Sequence, residues 1–340
     1  MKRITQILVM IIFSTNLPAQ EYLHPQKNEP GYLGESQYFR FYNHFWLNMH
    51  YFLYNRAVEY DGKKVEEFFE KKHIAALPKE KQEQLADLLE FYRSHMIDQD
   101  LRTGGYHHSY KRWVVQYNEK ERLPVPEKGT EEHIERLNQF APLYRQYFWK
   151  KHKKANLKVF RQNRSLVKKL EHKAVQRLTE LSQRQWEKEK IRVDLSYFSK
   201  LNRPFTTTRP TTHIVMESMK NHQPRGNWLE LLFHEASHHL IFPSNCFVGD
   251  AIKKAAGELG LSENAVRNMW HIYLFYFSGR VVEALLEEEW EEDYELYMVR
   301  NGVFSRSFPQ VNEFLPAYMN GKKGLLAVTK EILEASSNDR

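Results

Sequence analysis

The chain has 340 residues, with 50 Lys and Arg against 43 Asp and Glu, and a formal charge of +7. Hydrophobic residues make up 41%, with 14 Gly and 13 Pro, so a sizeable core is expected and intrinsic disorder is excluded. The single cysteine, Cys246, excludes an intrachain disulfide.

Residues 1–20, MKRITQILVMIIFSTNLPAQ, have a basic start, an apolar run from Ile7 to Phe13 and the small residue Ala19, the pattern of a secretory signal peptide. No other stretch is apolar for long enough to cross a bilayer, so no membrane span is expected in the mature chain. Export without disulfides suits a bacterial periplasm or exterior. Tyr22–Glu35 reads as irregular because of Pro25, Pro30, Gly31 and Gly34. Helical spacing then covers Gln37–Asn55, Val65–Lys71, Lys79–Ile97 and Glu131–Lys188, the last broken near Pro142. Gly104-Gly105 and Pro124–Gly129 mark loops between them. Lys150–Lys169 concentrates the positive charge; with acidic residues returning at Glu171, Glu180 and Glu187 it reads as a solvated helix face, and no specific nucleic-acid partner is expected.

Near Lys190 the pattern changes. Ile191–Phe198 alternates like a half-buried strand, and Thr211–Met216 follows as a second one after an extended Pro- and Thr-rich loop. The domains expected are therefore the leader at 1–20, a mostly helical region of unknown role at 21–190, and a region at 191–335 that carries the chemistry.

That chemistry centres on His234-Glu235-Ala236-Ser237-His238. Asn227 is placed to cap a helix running from Trp228 to Leu240, which Pro243 ends. Four residues apart on one helical face, His234 and His238 reach a single Zn2+, and Glu235 is placed to take a proton from a zinc-bound water. A catalytic zinc takes a third protein ligand. Downstream, Glu263–Glu291 reads as a further helix.

Strands, a histidine-bearing helix and a further helix in this order resemble the zincin metallopeptidases, over roughly 191–291. The resemblance implies an α+β, predominantly helical fold, with a small sheet preceding the H-E-x-x-H helix, and hydrolysis of peptide bonds in a peptide or protein substrate. Ile241 and Ser244 stand where metzincins need Gly and His. Gluzincins instead take a later glutamate, and Glu283, a lone carboxylate in GRVVEALL, is the expected third ligand. Asp250 is its rival, by likeness to aspzincins. Tyr276, seven residues before Glu283, is the expected oxyanion donor, ahead of His271, which lies about 120° from Glu283 around the helix. Glu230 is a candidate to orient the His234 ring, and His213 to face the cleft.

Two other readings compete. Glu235-Ala236-Ser237-His238 also fits the E-x-x-H pattern of dinuclear iron bundles, but its only other copy, Glu21-Tyr22-Leu23-His24, lies at the leader boundary. A non-catalytic exported helical protein, a binding or scaffold module with an accidental pentapeptide, requires no zinc.

Overall fold

The computed structural model describes residues 29–338 apart from 61, 63–64, 72–73, 75–76, 98–105, 126–129, 200–202 and 220–225. The expected leader at 1–20, Gly104-Gly105 and most of the expected 124–129 loop lie outside the described residues. Helices hold 65% of the described residues around one mixed sheet, which establishes the α+β, mostly helical class. Among the described residues no helix is long and apolar enough to cross a membrane.

The sheet has five strands in the order β1-β2-β3-β5-β4, comprising β1 (Tyr32–Glu35), β2 (Phe39–Tyr42), β3 (Ile191–Ser196), β4 (Phe205–Thr207) and β5 (His213–Glu217). The inner strands β2, β3 and β5 run parallel, and β1 and β4 close the edges antiparallel. Three of these strands depart from the sequence reading. The segment taken as irregular holds β1, the first residues of the expected Gln37–Asn55 helix form β2, and the expected loop after β3 holds β4. Phe39 and Phe41 explain β2: alternation sends both rings into the core under the sheet, and pairing with β3 outweighs a helical spacing that begins in earnest only at Phe45. His44 then caps α1 (Phe45–Glu59), its Nδ1 accepting from Leu47 N at 3.3 Å.

Helices α2 (Val65–Lys71), α3 (Lys79–His95), α4 (Tyr106–Val114) and α5 (Glu131–Tyr144) follow. Pro142 does not reverse the chain; a π turn over Arg145–Trp149 joins α5 directly to α6 (Lys150–Ser182). Beyond the sheet come α7 (Gly226–Ala236), a 3-10 turn (Ser237–His239), α8 (Phe247–Glu258), α9 (Glu263–Val266), α10 (Met269–Trp290), α11 (Tyr297–Arg300), α12 (Phe308–Met319) and α13 (Leu325–Asn338).

Two apolar cores lie on the two faces of the sheet. Ile214 and Met216 of β5 enter one, with α6, α7, α8, α10 and α13. Val215 between them enters the other, with α1, α3, α4 and α5. The core under the pentapeptide therefore draws on β2 and α6 as well as on residues beyond 190. Asn156 of α6 and Asn48 of α1 tie both layers to β3: each donates Nδ2 to Leu195 O, at 3.1 and 3.0 Å, and Asn48 Oδ1 accepts from Tyr197 N at 2.8 Å. The basic face of α6 is largely solvated. Lys169, Lys173 and Arg177 meet Glu288 and Glu289 at its far end, solvent-screened pairs that contribute little to stability.

Candidate metal centre

Helix α7 starts at Gly226, one residue before the expected cap. A Cβ there would lie 2.4 Å from Leu286 Cδ1 and 2.7 Å from Tyr294 Cε2, so glycine lets α10 and the following loop press against the start of α7. One turn on, Glu230 meets Gly279, where a Cβ would lie 2.8 Å from Glu230 Oε1. A turn further, His234 meets His271. Helices α7 and α10 are thus antiparallel, with the pentapeptide level with the start of α10. Because a helix rises about 1.5 Å per residue, Glu283 lies about 18 Å along α10 from His271.

That register determines which side chains converge. His234 Nε2 and His271 Nε2 are 3.2 Å apart. With His238 they form a group whose ligand atoms all lie within 4.8 Å of one another. The ring centroids make a near-equilateral triangle, with sides of 5.1, 5.1 and 5.3 Å. The 3-10 turn after Ala236 supplies His238. Glu235 Oε2 is 3.9 Å from His238 Nε2 and is buried without a hydrogen-bond partner.

A cation fits this group on two counts. Nitrogens 2.0–2.1 Å from a tetrahedral Zn2+ stand about 3.3 Å apart, close to the observed spacing of the His234 and His271 nitrogens. Burial first, then neighbouring imidazoles, push the His234 ring well below its ordinary range and the His238 ring down to about 3, so both are neutral at pH 7 with lone pairs available. Burial pushes the Glu235 carboxyl the other way, up to about 7, opposed by the Thr206 hydroxyl and the Lys111 ammonium. Lys111, fully buried, reaches under the sheet from α4 to donate to His213 O at 2.6 Å.

Aromatic rings frame the histidines. Phe275 stacks on His234 at 3.7 Å, Tyr297 lies parallel to Phe275 at 6.1 Å, and Trp270 and Phe304 flank His238 and His271 at 5.7 Å each. The His238 side chain keeps 21% exposure, which leaves the cluster an opening to solvent. Beside it, Thr206 of β4 donates to Glu235 O at 2.9 Å, setting the sheet's outer strand against the pentapeptide.

Several expected site residues lie elsewhere. Glu283 is not brought to the histidines: its Oε2 accepts from Arg280 at 2.6 Å, on the wrong level of α10 for the cluster. His271 is the third residue that joins His234 and His238, and the same 120° that set it apart from Glu283 turns it toward α7. Tyr276 is fully buried and donates to Asn312 Oδ1 at 3.1 Å, with Arg280 over its ring, so it faces α12. Asp250 sits in the first turn of α8 and accepts from Asn245 N at 3.0 Å in an exposed loop. His213 is buried on an inner strand, 2.7 Å from Asp194 Oδ2, and does not face the cleft. His239 packs against Trp186, and His44, His50, His107 and His108 belong to other contacts.

Glu230 does not orient His234, whose Nδ1 is buried without a partner. Its Oε2 instead accepts from Tyr294 OH at 2.6 Å and Tyr297 N at 2.8 Å, fixing the segment that sets Tyr297 beside Phe275. Gly279→Ala would drive a methyl into this contact, and overpacking of this kind costs about 1–3 kcal/mol. The expected result is a lower urea midpoint with an unchanged m value; a midpoint equal to wild type would contradict the close helix packing.

Comparison with protein-family models, with curated proteins and with solved structures returns no match. What the fold and the cluster define is a class: a mostly helical α+β protein with three imidazoles and one buried carboxylate converging from two antiparallel helices and the 3-10 turn that follows the first.

Proposed function

We propose that this chain is an exported, zinc-dependent metallopeptidase of zincin-like build, with His234, His238 and His271 as metal ligands and Glu235 as general base. The observation that carries the reading is the convergence of three ring nitrogens beside an unpartnered buried carboxylate oxygen. Bound Zn2+ would supply Lewis acidity, polarising water and the substrate carbonyl. The chain's own groups do the remaining work. Glu235 Oε2 takes the proton of the attacking water and returns it to the leaving amine. Phe275, stacked on His234, holds that imidazole in place, and the surrounding rings exclude bulk water.

A peptide substrate is favoured by β4. As the outermost strand it pairs, among the described residues, on one side only, with β5, and an extended peptide can add to its other edge within reach of Glu235. Export rests on the leader-like residues 1–20, and N-terminal sequencing of exported chain should begin close to Glu21. The activity is tested by profiling cleavage of a broad peptide library by zinc-loaded and chelator-treated protein. Cleavage that disappears with chelation and returns with Zn2+ is the expected result; equal profiles with and without metal would contradict it.

A further inference from the structure

On the opposite face of the sheet from the histidine cluster, four helices are joined by one continuous line of buried hydrogen bonds. Tyr106 OH lies 2.5 Å from His133 Nδ1, His133 Nε2 is 2.9 Å from Tyr92 OH, and Tyr92 OH is 2.8 Å from His50 Nδ1. His50 Nε2 is then 3.0 Å from His107 Nδ1, and His107 Nε2 is 2.6 Å from Met96 O. The line links α1, α3, α4 and α5, the helices that build this core.

The last acceptor fixes every proton. A carbonyl only accepts, so His107 Nε2 carries a hydrogen and its Nδ1, in the neutral ring, is a lone pair. His50 Nε2 must therefore donate and its Nδ1 must accept from Tyr92. Tyr92, having given its proton to His50, accepts from His133 Nε2, and His133 Nδ1 accepts from Tyr106. Each imidazole is neutral, donates once and accepts once. An added proton has no vacant lone pair to occupy, because each Nδ1 already holds a link of the line.

Among the described residues the surroundings offer little to a charge. The charged influences on His50 are His107 and His133, and that on His133 is His107, all of the same sign when protonated. From α1 come Tyr51 and Tyr54; from α3, Tyr92 and, a turn on, His95; from α4, Tyr106, Tyr110 and then Lys111, which is turned to His213 O. Arg136 of α5 lies over Phe91 and pairs with Asp87 and Glu132 at the surface.

We propose that this line is an acid-sensitive latch, which holds α1, α3, α4 and α5 together at neutral pH and releases them when a histidine within it is protonated. Burial pushes His50 well below its ordinary range and His133 down to about 3, so the opened state, whose histidines titrate near 6.5, binds more protons below that pH. Stability of the closed helices is thus complete above about 6.5 and is lost as pH falls toward about 3. Each of these two histidines raises the open-to-closed ratio about tenfold per pH unit in that window, or about a hundredfold together. Release would reach the sheet, since α4 also carries Lys111 and α1 carries Asn48, both bonded to strand carbonyls.

Hydrogen exchange of the full chain, corrected for intrinsic rates and read by mass spectrometry between pH 7.5 and 4.5, tests this. Peptides of α3 and α5 should lose protection steeply below pH 6.5, ahead of α8 and α13, which contain no histidine. Tyr106→Phe keeps the ring but frees His133 Nδ1, and should move the loss to higher pH. His133→Phe should reduce the steepness to about tenfold per unit. Loss of protection in α3 and α5 no earlier than in α8 and α13, or a Tyr106→Phe transition at the wild-type pH, would overturn the latch. The wild-type gradient and Tyr106→Phe decide the matter even if His133→Phe does not fold.

Discussion

Replacing Glu235 by Gln is expected to lower peptide turnover by about 10²–10⁴-fold while leaving metal content unchanged. The amide keeps the shape of the side chain but gives up the basic oxygen, which in the native protein is buried, unpartnered and 3.9 Å from His238 Nε2. No other carboxylate joins the histidine group among the described residues, so nothing stands ready to replace it. Steady-state kinetics on a peptide cleaved by wild type, with zinc measured on the same sample, give both numbers. A Glu235→Gln protein that keeps more than about a tenth of wild-type kcat would remove Glu235 from the reaction. A protein that loses its zinc would instead make Glu235 a ligand.

The second large effect separates two candidate third ligands on one helix. His271→Ala should weaken zinc binding by a hundredfold or more, because it leaves two imidazoles where a catalytic site takes three protein ligands. Glu283→Ala should leave zinc affinity at the wild-type value. Its own loss is an Arg280 contact at 27% exposure on each side, worth about 1 kcal/mol or less in stability. Competition titration against a chromophoric chelator measures both variants directly. Weakened binding in Glu283→Ala with normal binding in His271→Ala would reverse the assignment.

Much of this arrangement was legible in the sequence. His234, Glu235 and His238 stand out by spacing, and the expected strands at Ile191–Phe198 and Thr211–Met216 overlap β3 and β5, two of the three inner strands. The third member of the histidine group is harder to read, because helical periodicity says which residues share a face but not at what level another helix crosses. Glu283 drew attention as a charge among apolar neighbours, and Arg280, three residues earlier, already satisfies it. The missing signal lay in the glycines. At Gly226 and Gly279 side chains of the facing segment press onto the helix backbone, and pairing each with its observed contact gives an antiparallel register that sets His271 level with His234. Tyr276 shares the face of Glu283, and so it too lies away from the cluster, bonded to Asn312 of α12.

The strands β1, β2 and β4 were missed for a different physical reason. They are only three or four residues long, too short for a period to register, and they owe their existence to pairing with another strand: β2 with β3, far along the chain, and β4 with β5 just after it. The buried line from Tyr106 to Met96 was equally invisible. It joins four helices whose histidines and tyrosines have no common spacing, and only packing brings them into sequence as donor and acceptor.

X-ray absorption at the zinc edge of the reconstituted full chain bears most directly on the central claim. Three imidazole nitrogens at about 2.0–2.1 Å, completed by a light oxygen scatterer, is the expected first shell, with the imidazole contribution falling to two in His271→Ala. A shell with two imidazoles in the wild-type protein, or failure to bind stoichiometric zinc at all, would contradict it.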